Sequence, residues 1–206
     1  VTRLPDDYFT RLYARSSDPW SFETRWYESR KRALTVAMLP RERFRQAFEP
    51  GCSIGSLTEV LAPRCDRLVA TDVVESALEA TRARLDRAGH TNTSVERWAL
   101  GDPWPEATFD LIVLSEVCYY VEPDDLERVL DDAVAHLDAD GVVLAVHWRH
   151  PVADYFTTGD EVHDTLRRHV GLTRTARYED EDVLIETFGP ASAPHRSVAR
   201  REGLVE

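Results

Sequence analysis

Phe48-Glu49-Pro50-Gly51-Cys52-Ser53-Ile54-Gly55, answered at Asp72 by an acid closing the apolar run Arg67-Leu68-Val69-Ala70-Thr71, decides the fold. An acid, a glycine turn and then a helical pattern describe a strand handing over to a helix above a nucleotide-like ligand. Glycines at 51 and 55 let the main chain turn sharply and come close to a ligand that a Cβ would block. Asp72 follows Glu49 at roughly the 20-residue spacing that sets a carboxylate on ribose hydroxyls in a doubly wound sheet.

Outward from that stretch the chain alternates. Arg45 to Glu49 reads as a strand, Ser56 to Ala62 as a helix closed by Pro63, and Arg67 to Asp72 as a second strand. Ser76 to Ala88 is predicted as a helix capped at Glu75-Ser76 and stopped by Gly89. Asn92 to Arg97, Phe109 to Leu114 and Gly141 to Trp148 follow as strands, with Pro123 to Leu137 helical between the last two. The near-continuous apolar run Phe109-Asp110-Leu111-Ile112-Val113-Leu114 suits a parallel strand buried on both faces. Gly159 to Val170 reads as a helix. Leu172 to Tyr178 and Asp182 to Phe188 are joined by three residues, too few for a crossover, so they must run antiparallel. Before the first strand, a polar opening leads to a helical pattern from Thr24 to Leu39. The expected architecture is α/β: a doubly wound Rossmann-like sheet of seven strands, the last pair antiparallel, with helices on both faces. Residues 1–40 would form an N-terminal helical cap over the cleft, 41–190 the ligand-binding core, and 191–206 a loosely ordered tail.

At 206 residues the chain is long enough for one full core. A net charge of −12, with Lys31 as the only lysine, argues against a nucleic-acid partner, which needs clustered cations. It argues equally against an anionic membrane surface. No apolar run approaches the roughly 20 residues of a membrane span, and Val1 to Asp7 lacks an apolar signal core, so a cytoplasmic protein is expected. Cys52, Cys65 and Cys118 have neither CxxC spacing nor an even count, and read as packing residues. The histidines form no HxH or HxxxH pair, so no metal is expected.

Five parallel strands closed by an antiparallel pair resemble the class I S-adenosylmethionine-dependent methyltransferases. The blocks Asp18-Pro19-Trp20, Tyr27-Glu28-Ser29-Arg30-Lys31, Glu49 to Gly55 and Trp104-Pro105 are similar to the nodulation protein S branch. Phe109 to Tyr120 and His147-Trp148-Arg149-His150-Pro151 continue the likeness. Ser53 stands where many superfamily members have a middle glycine. The resemblance implies S-adenosyl-L-methionine as cofactor and methyl transfer to the nitrogen of an amino sugar or related amine. O-methylation of a sugar or small metabolite, a catalytically silent binding module, and a single-domain NAD-binding protein are the rival readings.

On that reading Gly51, Ser53 and Gly55 make room for the cofactor, Asp72 with neighbouring Val73 holds the ribose, and Glu49 orients the turn. Main-chain contacts at Leu100 serve the adenine, with Asp102 as the alternative; Trp104 is core or wall. The resemblance further places Trp20 and Tyr27 over the cofactor, where an aromatic face attracts a sulfonium, and Arg30 or Lys31 on its carboxylate. Ser115 leaves the fourth strand at the edge where ligands of such sheets collect. Glu116 is the candidate to bind an ammonium or act as base, with Tyr119 and Tyr120 beside it. His147, and less so His150, could take a proton near neutrality; His163 would close the acceptor pocket.

Overall fold

The computed structural model describes residues 1–206 as one seven-stranded sheet in the order β3-β2-β1-β4-β5-β7-β6. Strands β1 (Phe44–Pro50), β2 (Cys65–Asp72), β3 (Thr93–Arg97), β4 (Phe109–Ser115) and β5 (Leu137–Trp148) are parallel. β7 (Val183–Pro190) runs antiparallel to β5, and β6 (Leu172–Glu179) antiparallel to β7, as the short connection requires. This is the predicted doubly wound fold with its final antiparallel pair.

Strand parity divides the core. Leu111 and Val113 of β4 point to one face with Val142, Leu144 and Val146 of β5, where they meet Leu61, Leu85 and Leu39. Ile112 and Leu114 point to the other face with Val143 and Ala145, against Leu126, Val129 and Leu130 of α5 (Pro123–Ala135) and Val162 and Leu166 of α6 (Gly159–Arg168). An all-apolar strand is what burial on both faces demands. The first face is covered by α2 (Trp26–Ala37), α3 (Ser56–Leu61) and α4 (Glu75–Ala88). Gly159 opens α6 because a Cβ there would lie 2.3 Å from the Trp148 carbonyl oxygen. The Thr158–Glu161 capping box fixes the entry of that helix.

Three local expectations change. The polar opening contains a helix, α1 (Asp6–Arg15), none of whose residues is fully buried. Helix α4 starts at Glu75 with no side-chain cap. In place of a Ser76 cap, Asp72 Oδ1 accepts the Val74 amide at 3.0 Å. The tail carries a short helix, α7 (Val198–Arg201), pinned where Arg201 donates to both oxygens of Asp140 at 2.7 and 2.8 Å.

Gly55 shows how tightly α3 meets α4. It sits at φ +77°, and a Cβ would come within 2.9–3.1 Å of Thr81. Gly55→Ala combines left-handed strain with this clash and is expected to lower unfolding free energy by more than about 1 kcal/mol, read by urea denaturation. A variant as stable as the parent would contradict that packing.

Candidate active site

The strand order reverses at β1, which pairs with β2 on one side and β4 on the other. The segments leaving β1 and β4 therefore diverge, and such a crevice is where open α/β sheets bind ligands. Both exits are bent: Gly51, Ser53 and Gly55 after β1, and Glu116 after β4, all have positive φ. For glycine this is free; Ser53 at +53° and Glu116 at +58° store about 1 kcal/mol or more each, as residues at functional sites commonly do. Asp72 ties the first exit down. Its Oδ2 accepts the Ser53 amide at 2.9 Å while Oδ1 holds the start of α4. Burial raises this carboxyl, and the two amides oppose the rise. The Ser53 hydroxyl meets the Tyr13 hydroxyl of α1.

The second exit carries a charged network. Lys31 of α2 donates to Glu116 Oε1 at 2.7 Å. Glu116 Oε2 accepts from the Trp148 amide at 3.0 Å and from the Tyr119 hydroxyl. Lys31 also donates to Glu28 Oε1 at 3.2 Å. Burial would depress the lysine; Glu116 and Glu28 outweigh that and hold it above its usual value. Its ammonium lies 5.1 Å from the centre of the Tyr27 ring and 5.9 Å from that of Phe22. Two carboxyl groups, Glu28 and Glu116, thus flank one ammonium, Lys31.

One cavity of about 380 Å³ joins the two exits. Several buried polar atoms on its wall accept or donate no aligned hydrogen bond: Tyr27 Oη, Glu49 Oε2, Ser56 Oγ and Glu28 Oε2, the last ion-paired with Lys31 at 3.1 Å. Such atoms cost about 1–3 kcal/mol each unless a ligand satisfies them. Burial, assisted by nearby Asp72, pushes Glu49 up to about 8. Tyr119 and Tyr155 stack at 4.7 Å, with Tyr120 edge-on to both at 4.8 Å, forming an aromatic corner.

Most residues named from sequence line this cavity: Trp20, Tyr27, Glu49, Gly51, Ser53, Asp72, Val73, Leu100, Ser115, Glu116, Tyr119 and Tyr120. Three do not. Arg30 points away and pairs with Asp180 at 2.7 Å and with the Tyr178 hydroxyl, because the cavity face of α2 is Tyr27, Glu28, Lys31, Arg32 and Thr35. At about 100° per residue position 30 falls outside that arc. Gly55 clears Thr81 on α4 and is no part of the cavity wall. His147 is fully buried on the face covered by α6, since neighbours on a strand point to opposite sides and Trp148 takes the cavity. Its Nε2 accepts the Cys118 amide at 3.4 Å, and its Nδ1 meets His163 Nε2 at 3.1 Å; His163 Nδ1 donates to Glu186 at 2.7 Å. Burial first, then His163 and Lys31, holds His147 well below its usual value. His163 thus lies in the core, and His150 pairs with Asp182 on the surface.

Asp102 accepts the Ala99 amide at 3.0 Å and shapes the turn from behind the wall. Trp104 stacks on His136 at 5.0 Å within the core side, leaving Trp98 at the cavity. Sequence reasoning gave no role to Phe9 and Tyr13 of α1, Glu28, Arg25, Arg32, Trp148 or Tyr155, all of which line it. No group of three or more His, Cys, Asp or Glu is arranged to hold a metal ion.

The family model described as Nodulation protein S (NodS) matches residues 8–170. The chain belongs to the nodulation protein S family. That family's fold is the class I S-adenosylmethionine-dependent methyltransferase fold seen here. Nodulation protein S of Sinorhizobium fredii strain NGR234 is 36% identical over 126 residues, 59% of this chain and 56% of that protein. The chain spans about half the length of the curated relatives it matches. Among solved structures, N-methyltransferase NodS from Bradyrhizobium japonicum WM9 in complex with S-adenosyl-L-homocysteine is 26% identical with a TM-score of 0.80, covering 89% of this chain and 97% of that one. A crystal structure of a Pseudomonas syringae protein is 43% identical with a TM-score of 0.69, covering 80% and 99% respectively.

Glu49 gives the family site a measurable pH signature. In the unfolded chain its carboxyl ionises near the usual 4.5, whereas in the fold it stays protonated up to about 8. The unfolded state therefore sheds this proton first, and the ligand-free protein loses stability as pH rises between those values. Glu49→Gln should remove that loss. Urea denaturation at about pH 5 and about pH 8 checks it: equal pH dependence in parent and variant would contradict the buried neutral Glu49.

Proposed function

We propose that the chain is a cytoplasmic S-adenosylmethionine-dependent N-methyltransferase whose acceptor is a small amine, an amino sugar or a related compound. The observation that carries this reading is the Glu28–Lys31–Glu116 cluster facing the Gly51–Ser53 turn across one cavity. A net negative wall lined with aromatic rings suits a cationic or amine ligand.

The donor set at the turn fits the cofactor. A Cβ on Gly51 would come within 2.3 Å of the Val117 side chain, so glycine lets the turn pack against Val117 while both line the cavity. Asp72 retains free lone pairs for a vicinal diol, and the orphaned Glu49 and Ser56 oxygens call for a polar ligand. Trp20, Tyr13 and Phe9 supply the cover, and Leu100 with Trp98 the flat apolar wall. Arg25 and Arg32, which line the cavity, take the place proposed for Arg30 as partners for a carboxylate. When bound, S-adenosylmethionine supplies an electrophilic methyl group. This chain then has to exclude water, align a nitrogen lone pair and dispose of one proton. Alignment falls to Glu116, held rigid by donors on both oxygens, and to the corner formed by Tyr119, Tyr120 and Tyr155, whose faces match the apolar face of a sugar ring.

Calorimetric titration should show S-adenosyl-L-homocysteine binding, and labelled methyl should pass to glucosamine, its oligomers or simple amines. Binding without transfer to any of them would favour a silent module, and label on oxygen alone would favour O-methylation. Glu116→Gln should slow transfer about 100-fold while changing homocysteine-product affinity less than about threefold; near-normal turnover would remove Glu116 from the chemistry.

A further inference from the structure

Resting on the amine-acceptor reading, we infer that Glu28 is the group that takes the proton from the acceptor nitrogen. Glu28 lies on the first turns of α2, 6% exposed, on the cavity wall. Its Oε2 is buried and accepts no aligned hydrogen bond: Lys31 Nζ lies 3.1 Å from Oε2 and 3.2 Å from Oε1, and only the contact to Oε1 has hydrogen-bond geometry. This leaves one carboxylate oxygen, ion-paired with Lys31 but without an aligned donor, able to accept a proton on the wall that carries Glu116.

The other bases of the site are spent or absent. Both oxygens of Glu116 already accept, from Lys31 on one side and from Tyr119 and the Trp148 amide on the other. His147 is sealed beneath the sheet in its chain to His163 and Glu186. Glu49 is orphaned too, but it sits at the end of β1 beside Asp72, at the glycine-turn end of the cavity. Glu28 shares Lys31 with Glu116 and so belongs to the acceptor end.

The surroundings favour a base of raised proton affinity. Burial pushes the Glu28 carboxyl above its usual value, with Glu116 adding to the rise and Lys31 and Arg32 opposing it. Asp180 and Asp182, in the β6–β7 connection, act on the adjoining Tyr27. A carboxylate raised in this way holds a proton better near neutrality, where a general base works best.

The step balances simply. An acceptor R–NH3⁺ loses one N–H bond; its electron pair stays on nitrogen as the lone pair that attacks, and the proton forms an O–H bond at Glu28 Oε2. The proton passes to solvent when the product leaves. Because the Lys31–Glu116 pair does not include Glu28, replacing Glu28 by its neutral isostere removes one charge and leaves the cross-link from α2 to β4 in place.

The test is a pH profile of labelled-methyl transfer to D-glucosamine and to ethanolamine. Glu28→Gln should run about 100-fold slower than the parent near neutral pH. The gap should shrink to within about fivefold by about pH 9.5, because solvent then supplies the neutral amine near the usual ammonium value. Affinity for S-adenosyl-L-homocysteine should change less than about threefold. Glu116→Gln, affecting alignment, should be slower by a constant factor at every pH. A Glu28→Gln variant that matches the parent, or is slower by the same factor throughout, overturns the assignment. Should that variant not fold, Glu28→Asp decides: about a tenfold deficit that closes at high pH supports the proton role, and a constant deficit overturns it. A parent that methylates neither amine overturns the amine reading and this one together; an active parent with an indifferent Glu28 overturns this one alone.

Discussion

Lys31 and Glu116 make the contact on which the cavity depends. They are 85 positions apart, one on the helix that covers the sheet and the other where β4 ends. The crevice between β1 and β4 would exist in any doubly wound sheet, but this link ties α2 to the exit of β4 and makes the helix a wall of the crevice. With side chains 8% and 16% exposed, the pair is largely desolvated. Removing one partner from a buried pair costs about 3–5 kcal/mol, whereas replacing both with packed apolar groups is often harmless. A wall built only for stability would need no charges. These charges, with an orphaned oxygen beside them, mark the wall as one that handles polar chemistry.

The same tension appears at the backbone. Ser53 and Glu116 adopt left-handed conformations that glycine would adopt more cheaply, on adjacent strand exits. Each is held there by partners that do not depend on the other: Asp72 and Tyr13 for Ser53, Lys31, Tyr119 and Trp148 for Glu116. Strain persists only where the surroundings over-determine it. Here they do so on both sides of one crevice, so the positions of the turn and of the carboxylate are set before any ligand arrives. The glycine at 51 contributes differently, by removing the Cβ that would strike Val117.

What could be seen in the sequence follows the range of the forces involved. The glycine turn, the acid at 72, the apolar run of β4 and the three-residue hairpin connection are local, and they were enough for the sheet and its reversal. Arg30 and His147 were misplaced although the information was at hand: helical phase puts Tyr27, Glu28 and Lys31 on one arc without Arg30, and strand parity sets His147 opposite Trp148. Helix α1 was missed for another reason. Phe9, Leu12 and Tyr13 do recur at helical spacing, but none of its residues is fully buried, and Phe9 and Tyr13 face a cavity instead of the core. The Tyr13–Ser53 contact joins residues 40 apart, beyond any local pattern.

Net charge argues against polyanionic partners but says little about the ligand, and the site explains why. Surface charges are screened within about 8–10 Å at ordinary salt, so the −12 of the whole chain says little about what enters a cavity. The buried cluster acts unscreened. Its one lysine already occupies the setting that a ligand ammonium would seek, between two carboxylates and over two aromatic rings. A second full cation drawn to Glu28 and Glu116 therefore meets Lys31 as well as the carboxylates. On the proposed amine-acceptor reading, the arrangement draws an amine in by its positive charge and then favours the neutral form once the proton has moved to Glu28. That neutral form is the one whose lone pair can attack, so a single lysine makes attraction and activation parts of the same electrostatic balance.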